Sequence, residues 1–269
     1  MTVMIINKLF FRFLLRINKI LRWKLDEHLD LARYSSGHSI LRDLFSADYR
    51  KKSYANWIKT IVGSATSQGF YFTDSTPPGL LREIFLLGIY NVDGFTPNNG
   101  QVVIDVGANY GDSAIWWSKK FGAKVIAFEP LSYVFTELER NIKLNAVDVV
   151  AYNIALGSGE EVYGNSVGGM LSTGGNLKIN TERLDSYTFD RVDLLKIDVE
   201  GFEYEVLNGA EKTISKFKPR IIIETHSRDL RKICHRYLSD HGYSLKFEGR
   251  TISSDNKAMN RVTNLFYAP

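Results

Sequence analysis

The sequence contains few of the residues that build covalent cross-links or membrane spans. Cys234 is the single cysteine among 269 residues, which excludes an internal disulfide and any metal cluster built from several cysteines. The apolar stretch near the start of the chain is interrupted by charges, whereas a membrane-spanning helix needs about twenty mostly apolar residues. For the same reason we expect no cleavable signal peptide, which requires an uninterrupted apolar core.

Charge of one sign is not in large excess either. The chain has 34 lysines and arginines against 30 acidic residues, a net charge of +4. So small a charge does not favour a nucleic-acid groove, and we expect no nucleic-acid partner. With 44% hydrophobic and 24% charged residues, the composition is that of a globular protein. The length suits one α/β domain with an extension, which we place at residues 99–269 and 1–98.

Acidic residues are absent from residues 2–25, where six basic residues occur. Lys8, Arg12, Arg16 and Lys19 follow one another at steps of four, four and three, so they share one face of a predicted helix. This pattern predicts a basic amphipathic helix. Two interpretations stay open: the helix contacts an anionic membrane or a partner, or it packs on the body of the protein. We expect a cytoplasmic protein, either free or peripheral to the membrane.

The rest of the chain is organised around a strand and a glycine-containing turn. Residues 102–106 are apolar except for Asp105, and Gly107, Asn109 and Gly111 follow. Such a run, followed by helical periodicity, predicts a buried parallel strand, a tight turn and a helix. Ligands bind outside the carboxyl end of such a strand, where glycine permits close approach and helix N–H groups attract anions. The spacing differs from the dinucleotide pattern, and the phosphate-loop pattern is absent.

Acidic residues stand at two consecutive strands of this region. Asp105 is suited to face the cation of an amino acid, whose carboxylate would bind backbone N–H groups. Glu129, after a predicted strand at 124–128, is suited to accept both hydroxyls of a ribose. An amino acid joined to a nucleoside describes S-adenosylmethionine. The pattern therefore predicts that cofactor, with Asp105, Gly107, Asn109, Gly111 and Glu129 as binding residues; the alternative is a strand–turn–helix unit with incidental acids.

Four stretches resemble the FkbM-type methyltransferases, within the class I S-adenosylmethionine-dependent group. They are residues 104–112 (IDVGANYGD), 128–130 (FEP), 153–157 (NIALG) and 195–203 (LKIDVEGFE). The resemblance runs from about residue 82 to about residue 224, and the KIDVEG stretch is its most family-specific part. It implies transfer of a methyl group, most readily to oxygen. It also implies that Asn153 and Ala155 line the adenine pocket, although a simple strand-end turn explains Asn153 equally well.

Strands and helices alternate from residue 101 onwards, which predicts a doubly wound α/β fold. By the resemblance, this is a Rossmann-like, mostly parallel seven-stranded sheet with an N-terminal helical extension that covers the substrate pocket. Residues 157–175 contain seven glycines and predict either a mobile lid or a twisted hairpin insertion with a strand at 177–182. The predicted sheet strands are 101–106, 124–128, 148–153, 194–198, 220–225, 244–248 and 261–267, and the helices 80–90, 110–121, 132–145, 203–215 and 228–241.

Three candidate catalytic residues follow the fourth and fifth buried strands. Asp198 ends the fourth strand, where a carboxylate can accept the proton of a substrate hydroxyl, and Glu200 is an alternative. His226 ends the fifth strand and is a further candidate base, because its ordinary pKa is near neutral; a loop histidine at the rim is the competing interpretation. These residues and Glu224 could form a magnesium site, but ordinary strand-end polarity explains them as well, so the sequence assigns no metal ligands and leaves both interpretations open.

The sequence therefore predicts an S-adenosylmethionine-dependent methyltransferase. By family analogy, the acceptor is a hydroxyl of a sugar, another glycan or a small metabolite. Two alternatives are kept. One is methylation of a nucleic acid or protein. The other is a catalytically silent module with the same fold, which scaffolds a membrane complex through residues 2–25.

Overall fold

A seven-stranded sheet forms the centre of the computed structural model, which describes residues 47–167, 170–173, 175–250 and 263–269. Its strand order is β10-β11-β9-β8-β1-β2-β3. The neighbours from β9 to β3 are parallel, and β11 is antiparallel to both β9 and β10. In chain order the strands are β1 (Val102–Val106), β2 (Lys124–Phe128), β3 (Val149–Tyr152), β4 (Ala155–Leu156), β5 (Glu161–Val167), β6 (Met170–Thr173), β7 (Leu177–Glu182), β8 (Leu194–Ile197), β9 (Arg220–Thr225), β10 (Ser244–Arg250) and β11 (Thr263–Ala268).

Helices cover both faces of this sheet. One face packs against the first four helices, where Ile61, Leu81, Trp117 and Leu138 are buried, and the other packs against the last three. The helices are α1 (Ala47–Ser67), α2 (Pro78–Arg82), α3 (Asp112–Phe121), α4 (Ser132–Asn145), α5 (Glu203–Gly209), α6 (Glu211–Phe217) and α7 (Arg228–Asp240). Each fully buried Leu or Ile stabilises the fold by about 1.5–3 kcal/mol. The arrangement confirms the Rossmann-like, doubly wound fold.

Side-chain alternation decides which strand residues face the site. Successive residues of a strand point to opposite faces, so Asp105 lies on the same face as the buried Val103. Lys196 pairs directly with Asp105 across β1 and β8, and it shares that face with Leu194. Glu224 follows Ile222 on the same face of β9. The polar residues at the carboxyl ends of three adjacent strands therefore converge beside the layer formed by the first four helices.

The glycine-rich segment belongs to a small second sheet with the order β4-β7-β5-β6. β5 is antiparallel to both β6 and β7, and β7 is parallel to the two-residue β4. Of the two interpretations of this segment, the structure therefore has the hairpin insertion. Its strand Leu177–Glu182 has the predicted bounds.

Two predicted helices differ from the structure. The helix predicted at 203–215 is broken at Ala210 into α5 and α6. The helix predicted at 80–90 is instead α2 followed by a π-helical turn, Glu83–Leu87, that ends where Gly88 adopts a left-handed conformation. Among the residues that the structure describes, no helix is long and apolar enough to cross a membrane. Residues 2–25 lie outside the described ranges, and the division at residue 98 stays a prediction.

Candidate active site

A cleft opens at the carboxyl ends of β1, β2 and β8, beside the small sheet. Its lining residues come from the turns after those strands, from the segment that follows β3, and from β5 and β7. They include Gly107, Asn109, Glu129, Pro130, Ile154, Ala155, Val162, Ile179, Thr181, Asp198, Glu200 and Phe202. Six residues predicted from the sequence are therefore brought together in one cleft: Gly107, Asn109, Glu129, Ala155, Asp198 and Glu200. Asp105, Gly111, Asn153 and His226 are outside this lining.

Gly107 makes the tight turn after β1 possible. Its φ is +76°, and a Cβ at this position would lie 1.8 Å from the backbone oxygen of Asp198. The residue must therefore be glycine because the neighbouring strand end crosses so closely. The sequence analysis explained Gly107 by the close approach of a ligand. In the structure, the nearest atom that a Cβ would meet belongs instead to the backbone of Asp198. Asn109 also has a left-handed φ of +50°, which Asn tolerates better than most residues.

Glu129 is held in the cleft by two backbone amides. Asn109 N donates to Oε2 at 3.0 Å, and Leu131 N donates to Oε1 at 2.9 Å. Burial raises the pKa of Glu129 to about 7, although both amides act in the opposite direction. Each carboxylate oxygen has a second lone pair, so both can still accept a hydrogen bond from a pair of hydroxyls.

Asp105 has a different environment from the predicted one. It is fully buried, its Oδ1 lies 3.0 Å from Lys196 Nζ, and its Oδ2 accepts a hydrogen bond from Ser113 Oγ at 2.6 Å. The cation that faces Asp105 is therefore Lys196, and the prediction of a direct contact with an amino-acid cation is not supported. Lys196 Nζ also donates to Gly107 O at 3.0 Å, so the pair supports the glycine turn from below.

Gly111 and Asn153 support the walls of the cleft without lining it. A Cβ on Gly111 would lie 2.4 Å from Leu138 Cδ1, so glycine is needed where α3 starts against α4. Asn153 Nδ2 donates to the backbone oxygens of Glu129 and Pro130 at 2.8 and 3.0 Å. The predicted cofactor contact of Asn153 is thus replaced by a brace of the turn after β2, while Ala155 does line the cleft.

The three candidate catalytic residues meet at the ends of β8 and β9. His226 Nε2 lies 3.3 Å from Glu200 Oε2 and 3.8 Å from Asp198 Oδ1. Its Nδ1 lies 2.8 Å from Oε1 of Glu203, a fully buried carboxylate at the start of α5. Glu200 has a left-handed φ of +53°, a conformation that is uncommon for residues other than glycine. The predicted grouping of Asp198, Glu200 and His226 is therefore present.

The environment of His226 changes its expected role. Burial lowers its pKa, but the hydrogen bond with Glu203 and the charges of Asp198 and Glu200 raise it, with a net result of about 10. His226 is then protonated at neutral pH, so it does not match the predicted near-neutral base. A protonated His226 instead places a positive charge between the carboxylates of Asp198 and Glu200.

Further acidic groups surround this cluster. Burial, with Asp198 next in effect, raises the pKa of Glu224 well above its ordinary value. Burial, followed by the charges of Asp112 and Asp198, raises the pKa of Glu83 to about 7. Sequence reasoning gave Glu83, Lys196 and Glu203 no role at the site. A lysine inside an otherwise apolar strand was the signal that could have identified Lys196, since lysines are rarely fully buried unless paired.

Comparison with known proteins identifies a family. A family model described as the methyltransferase FkbM domain matches residues 105–245, just over half of the chain. The methyltransferase sdnD of Sordaria araneosa is 26% identical over 213 residues, covering 62% of this chain and 82% of that protein. The hexuronic acid methyltransferase AglP of Haloferax volcanii is 32% identical over 138 residues, covering 47% of this chain and 56% of that protein.

A solved structure has a similar fold. The crystal structure of the methyltransferase FkbM from Methylobacillus flagellatus KT is 18% identical, with a TM-score of 0.48, and the match covers 82% of this chain and 60% of that chain. The family match itself begins at Asp105, in the strand before the glycine turn, and ends at Leu245, in the last strand but one. The chain therefore belongs to the FkbM family of methyltransferases.

Proposed function

We propose that this methyltransferase transfers a methyl group from S-adenosylmethionine to a hydroxyl of a sugar or another small metabolite. The observation that carries the proposal is the arrangement of the cleft. The lining contains one set of residues, the glycine turn, Glu129 and the apolar pair Ile154 and Ala155, and a second set, Asp198 and Glu200. One cleft thus combines groups suited to a nucleoside with groups suited to accept a proton.

The residues of the first set fit the cofactor. Glu129 offers two carboxylate oxygens for the ribose hydroxyls, held in place by backbone amides. Asn109 Oδ1 is buried and has no hydrogen-bond partner among the described residues, so an acceptor there is left for a ligand. Ile154 and Ala155 supply an apolar surface for a base. When bound, S-adenosylmethionine supplies an electrophilic methyl group on a positively charged sulfur.

The residues of the second set orient the acceptor and take up its proton. Asp198 is the group we assign as base, because it lines the cleft and ends the strand next to β1. Glu200 lines the cleft as well, and protonated His226 holds the two carboxylates in place. Positioning of reactants and general-base assistance are the two contributions that the protein itself makes.

The nature of the acceptor is inferred from family analogy and from the site. The similar protein AglP is named as a methyltransferase of hexuronic acid, which favours a sugar hydroxyl. The net charge of +4 gives little support to a nucleic-acid acceptor. We therefore propose that the partner of this protein is a small-molecule or glycan acceptor and that it works in the cytoplasm or at the membrane surface.

Titration calorimetry and a methyl-transfer assay test the proposal together. We expect the purified protein to bind S-adenosylmethionine and to transfer labelled methyl groups to one or more members of a panel of sugars and glycolipids. S-adenosylhomocysteine should accumulate in step with the labelled product. Absence of binding by the folded protein would refute the cofactor. Binding without any turnover would favour the silent module, and labelling of only RNA or protein would favour the macromolecular acceptors.

Single-turnover rates rank the candidate bases. We expect Asp198→Asn to lower the rate by about 10²–10⁴-fold, because asparagine keeps the shape but cannot hold the proton. Its affinity for S-adenosylmethionine should change far less than its rate. Glu200→Gln and His226→Asn are compared under the same conditions. A near-normal rate for Asp198→Asn, with collapse of one of the others, would move the assignment to that residue.

A further inference from the structure

Three donor side chains at the ends of β8 and β9 form a compact group. Asp198, Glu224 and His226 each present a carboxylate oxygen or a ring nitrogen, and these three atoms lie within 4.8 Å of one another. Donor atoms around one metal ion are separated by such distances, because each lies about 2.0–2.6 Å from the ion. The three residues come from two adjacent strand ends on one face of the sheet, so the backbone fixes their spacing.

Glu224 supplies a second observation that points to a ligand. It is 8% exposed, and its side chain forms no hydrogen bond with any residue that the structure describes. Among those residues its ion pair is with His226 Nε2, 4.0 Å from its Oε1, which is beyond hydrogen-bonding distance. Buried carboxylates are normally paired or coordinate a metal, because an uncompensated buried charge is very costly. The side chain of Glu224 therefore faces the group without accepting a hydrogen bond from the described residues.

His226 is oriented as metal-ligating histidines are. Its Nδ1 is held at 2.8 Å by Oε1 of Glu203, which is itself fixed by Gly201 N at 3.0 Å. The opposite nitrogen, Nε2, faces Glu200, Asp198 and Glu224 at 3.3, 3.8 and 4.0 Å, and a bound ion would displace its proton. A carboxylate that holds the second nitrogen of the ring is the usual outer partner of a histidine that binds a metal.

The balance of charge around the group favours a cation. Carboxylates outnumber cationic side chains there by six to three. The carboxylates are Glu83, Asp112, Asp198, Glu200, Glu203 and Glu224, and the cations are Arg82, Lys196 and His226. Lys196 is shared among Asp105 at 3.0 Å, Gly107 O at 3.0 Å and Asp198 at 3.6 Å. A divalent ion would neutralise carboxylates that the described side chains leave uncompensated.

We propose that Asp198, Glu224 and His226 bind a divalent cation of the Mn²⁺ and Mg²⁺ class. Two carboxylates and one imidazole suit a hard ion that tolerates a nitrogen ligand, and Mn²⁺ meets both conditions. The use of the ion rests on the proposed function: it would hold the acceptor hydroxyl and make it more acidic. With the ion bound, Asp198 would act as a ligand, and the role of base assigned to it above would pass to Glu200, the other carboxylate of the second set in the cleft lining.

Titration of Mn²⁺, followed by its electron paramagnetic resonance signal, tests the site on the full chain without cofactor or acceptor. We expect one saturable site, which an excess of Mg²⁺ displaces. Asp198→Asn, Glu224→Gln and His226→Gln should each weaken Mn²⁺ binding by about 100-fold or more, because loss of an outer partner alone costs about 10–100-fold. Glu200→Gln is the matched control, two residues from Asp198, and should stay within about threefold of the unmodified protein.

Two results would overturn the site: no saturable Mn²⁺ binding by the unmodified protein, or unchanged affinity in the three ligand variants. A loss in Glu200→Gln as large as theirs would refute the three-donor assignment. Thermal unfolding with and without Mn²⁺ checks that each variant is folded, and only proteins that retain the site should be stabilised by the ion. Mn²⁺ binding by a protein that does not bind S-adenosylmethionine would refute the proposed function alone. Full transfer activity in excess chelator, without saturable Mn²⁺ binding, would refute the metal site alone.

Discussion

Replacement of Lys196 by methionine tests whether the buried ion pair under the glycine turn stabilises the fold. Lys196 is 3% exposed and Asp105 is fully buried, with 3.0 Å between Nζ and Oδ1. Burial alone would lower the pKa of Lys196, but Asp105 and Asp198 raise it above the ordinary value. The lysine is therefore charged at neutral pH. Lys196→Met keeps most of the apolar stem and removes only the charge.

The structure sets the size of the expected effect. Removing one partner of a buried ion pair costs about 3–5 kcal/mol, because the other charge remains buried without compensation. Lys196→Met leaves Asp105 with the hydroxyl of Ser113 as its remaining partner, so we expect a loss in that range. Asp105→Asn removes the negative charge that Lys196→Met would leave buried without its cation. The double variant should therefore be more stable than the sum of the two single effects predicts, by about 1–3 kcal/mol.

Urea unfolding of the four proteins in this cycle measures the coupling. Lys178→Met is the matched control, because Lys178 pairs with Glu161 at the surface, where its side chain is 60% exposed. Exposed pairs contribute about 0–1 kcal/mol, so this variant should be almost unchanged. Additive effects in the Asp105–Lys196 cycle would refute the reasoning. So would a loss in Lys196→Met no larger than that in the surface control.

Three further predictions follow from the cleft and from the start of the chain. Glu129→Gln should weaken S-adenosylmethionine binding in calorimetry, since hydrogen bonds to a charged group contribute about 1.5–3 kcal/mol; Asp112→Asn, outside the cleft lining, should change it little, and equal losses would contradict this. Burial raises the pKa of Asp112 from 3.8 to about 7, so its ionisation destabilises the fold as pH rises above 4. Asp112→Asn should then be more stable by on the order of 2 kcal/mol at pH 8 and gain nothing near pH 4, and a gain independent of pH in urea unfolding would refute the cause. Deletion of residues 2–25 should reduce co-sedimentation with anionic vesicles; unchanged co-sedimentation would exclude the membrane interpretation.

Local patterns were sufficient to predict most of the fold. The predicted bounds of β2, α4 and β9 agree with the structure at both ends. Each of these elements has a regular apolar period and is ended by turn residues, and both signals are contained in a short window of sequence. The mostly parallel sheet of seven strands follows from the class that the residues resemble, and the structure has it.

The deviations arise from contacts between distant segments. A Cβ on Gly209 would lie 1.8 Å from the backbone oxygen of Gly157, so α5 ends where it meets the loop after β4. That contact joins residues about fifty positions apart, and no periodicity in residues 203–215 reveals it. The π-helical turn before Gly88 could not be predicted from periodicity either, because its apolar spacing is close to that of an ordinary helix. Such short-range signals are compatible with several local conformations, and packing selects one.

The strand-end rule brought several predicted residues to one cleft, but it did not assign the hydrogen-bond partners of each residue. Glu129 and Asp198 line the cleft as predicted, since the carboxyl ends of adjacent parallel strands meet at one edge. Asn153 also stands at a strand end, yet its amide braces the turn after β2. Position along a strand determines at which end and on which face of the sheet a side chain lies. Which neighbour satisfies its polar atoms depends on the turns around it.

The pairing of Lys196 with Asp105 is one that the sequence alone could have predicted. The strand Leu194–Ile197 is buried at all four positions, and its single polar residue is a lysine, which must have an anionic partner in such surroundings. In a parallel sheet with β8 beside β1, only a strand acid on the same face and in the same register can meet it. Asp105 is the acid of β1, and it pairs with Lys196 in the observed register. The sequence analysis gave Asp105 a ligand as its partner, whereas the structure shows Lys196 there, because two unusual buried charges were interpreted separately. Taken together, the buried lysine and the buried acid predict that they pair with each other. The same pair supports the glycine turn, because Lys196 Nζ donates to Gly107 O.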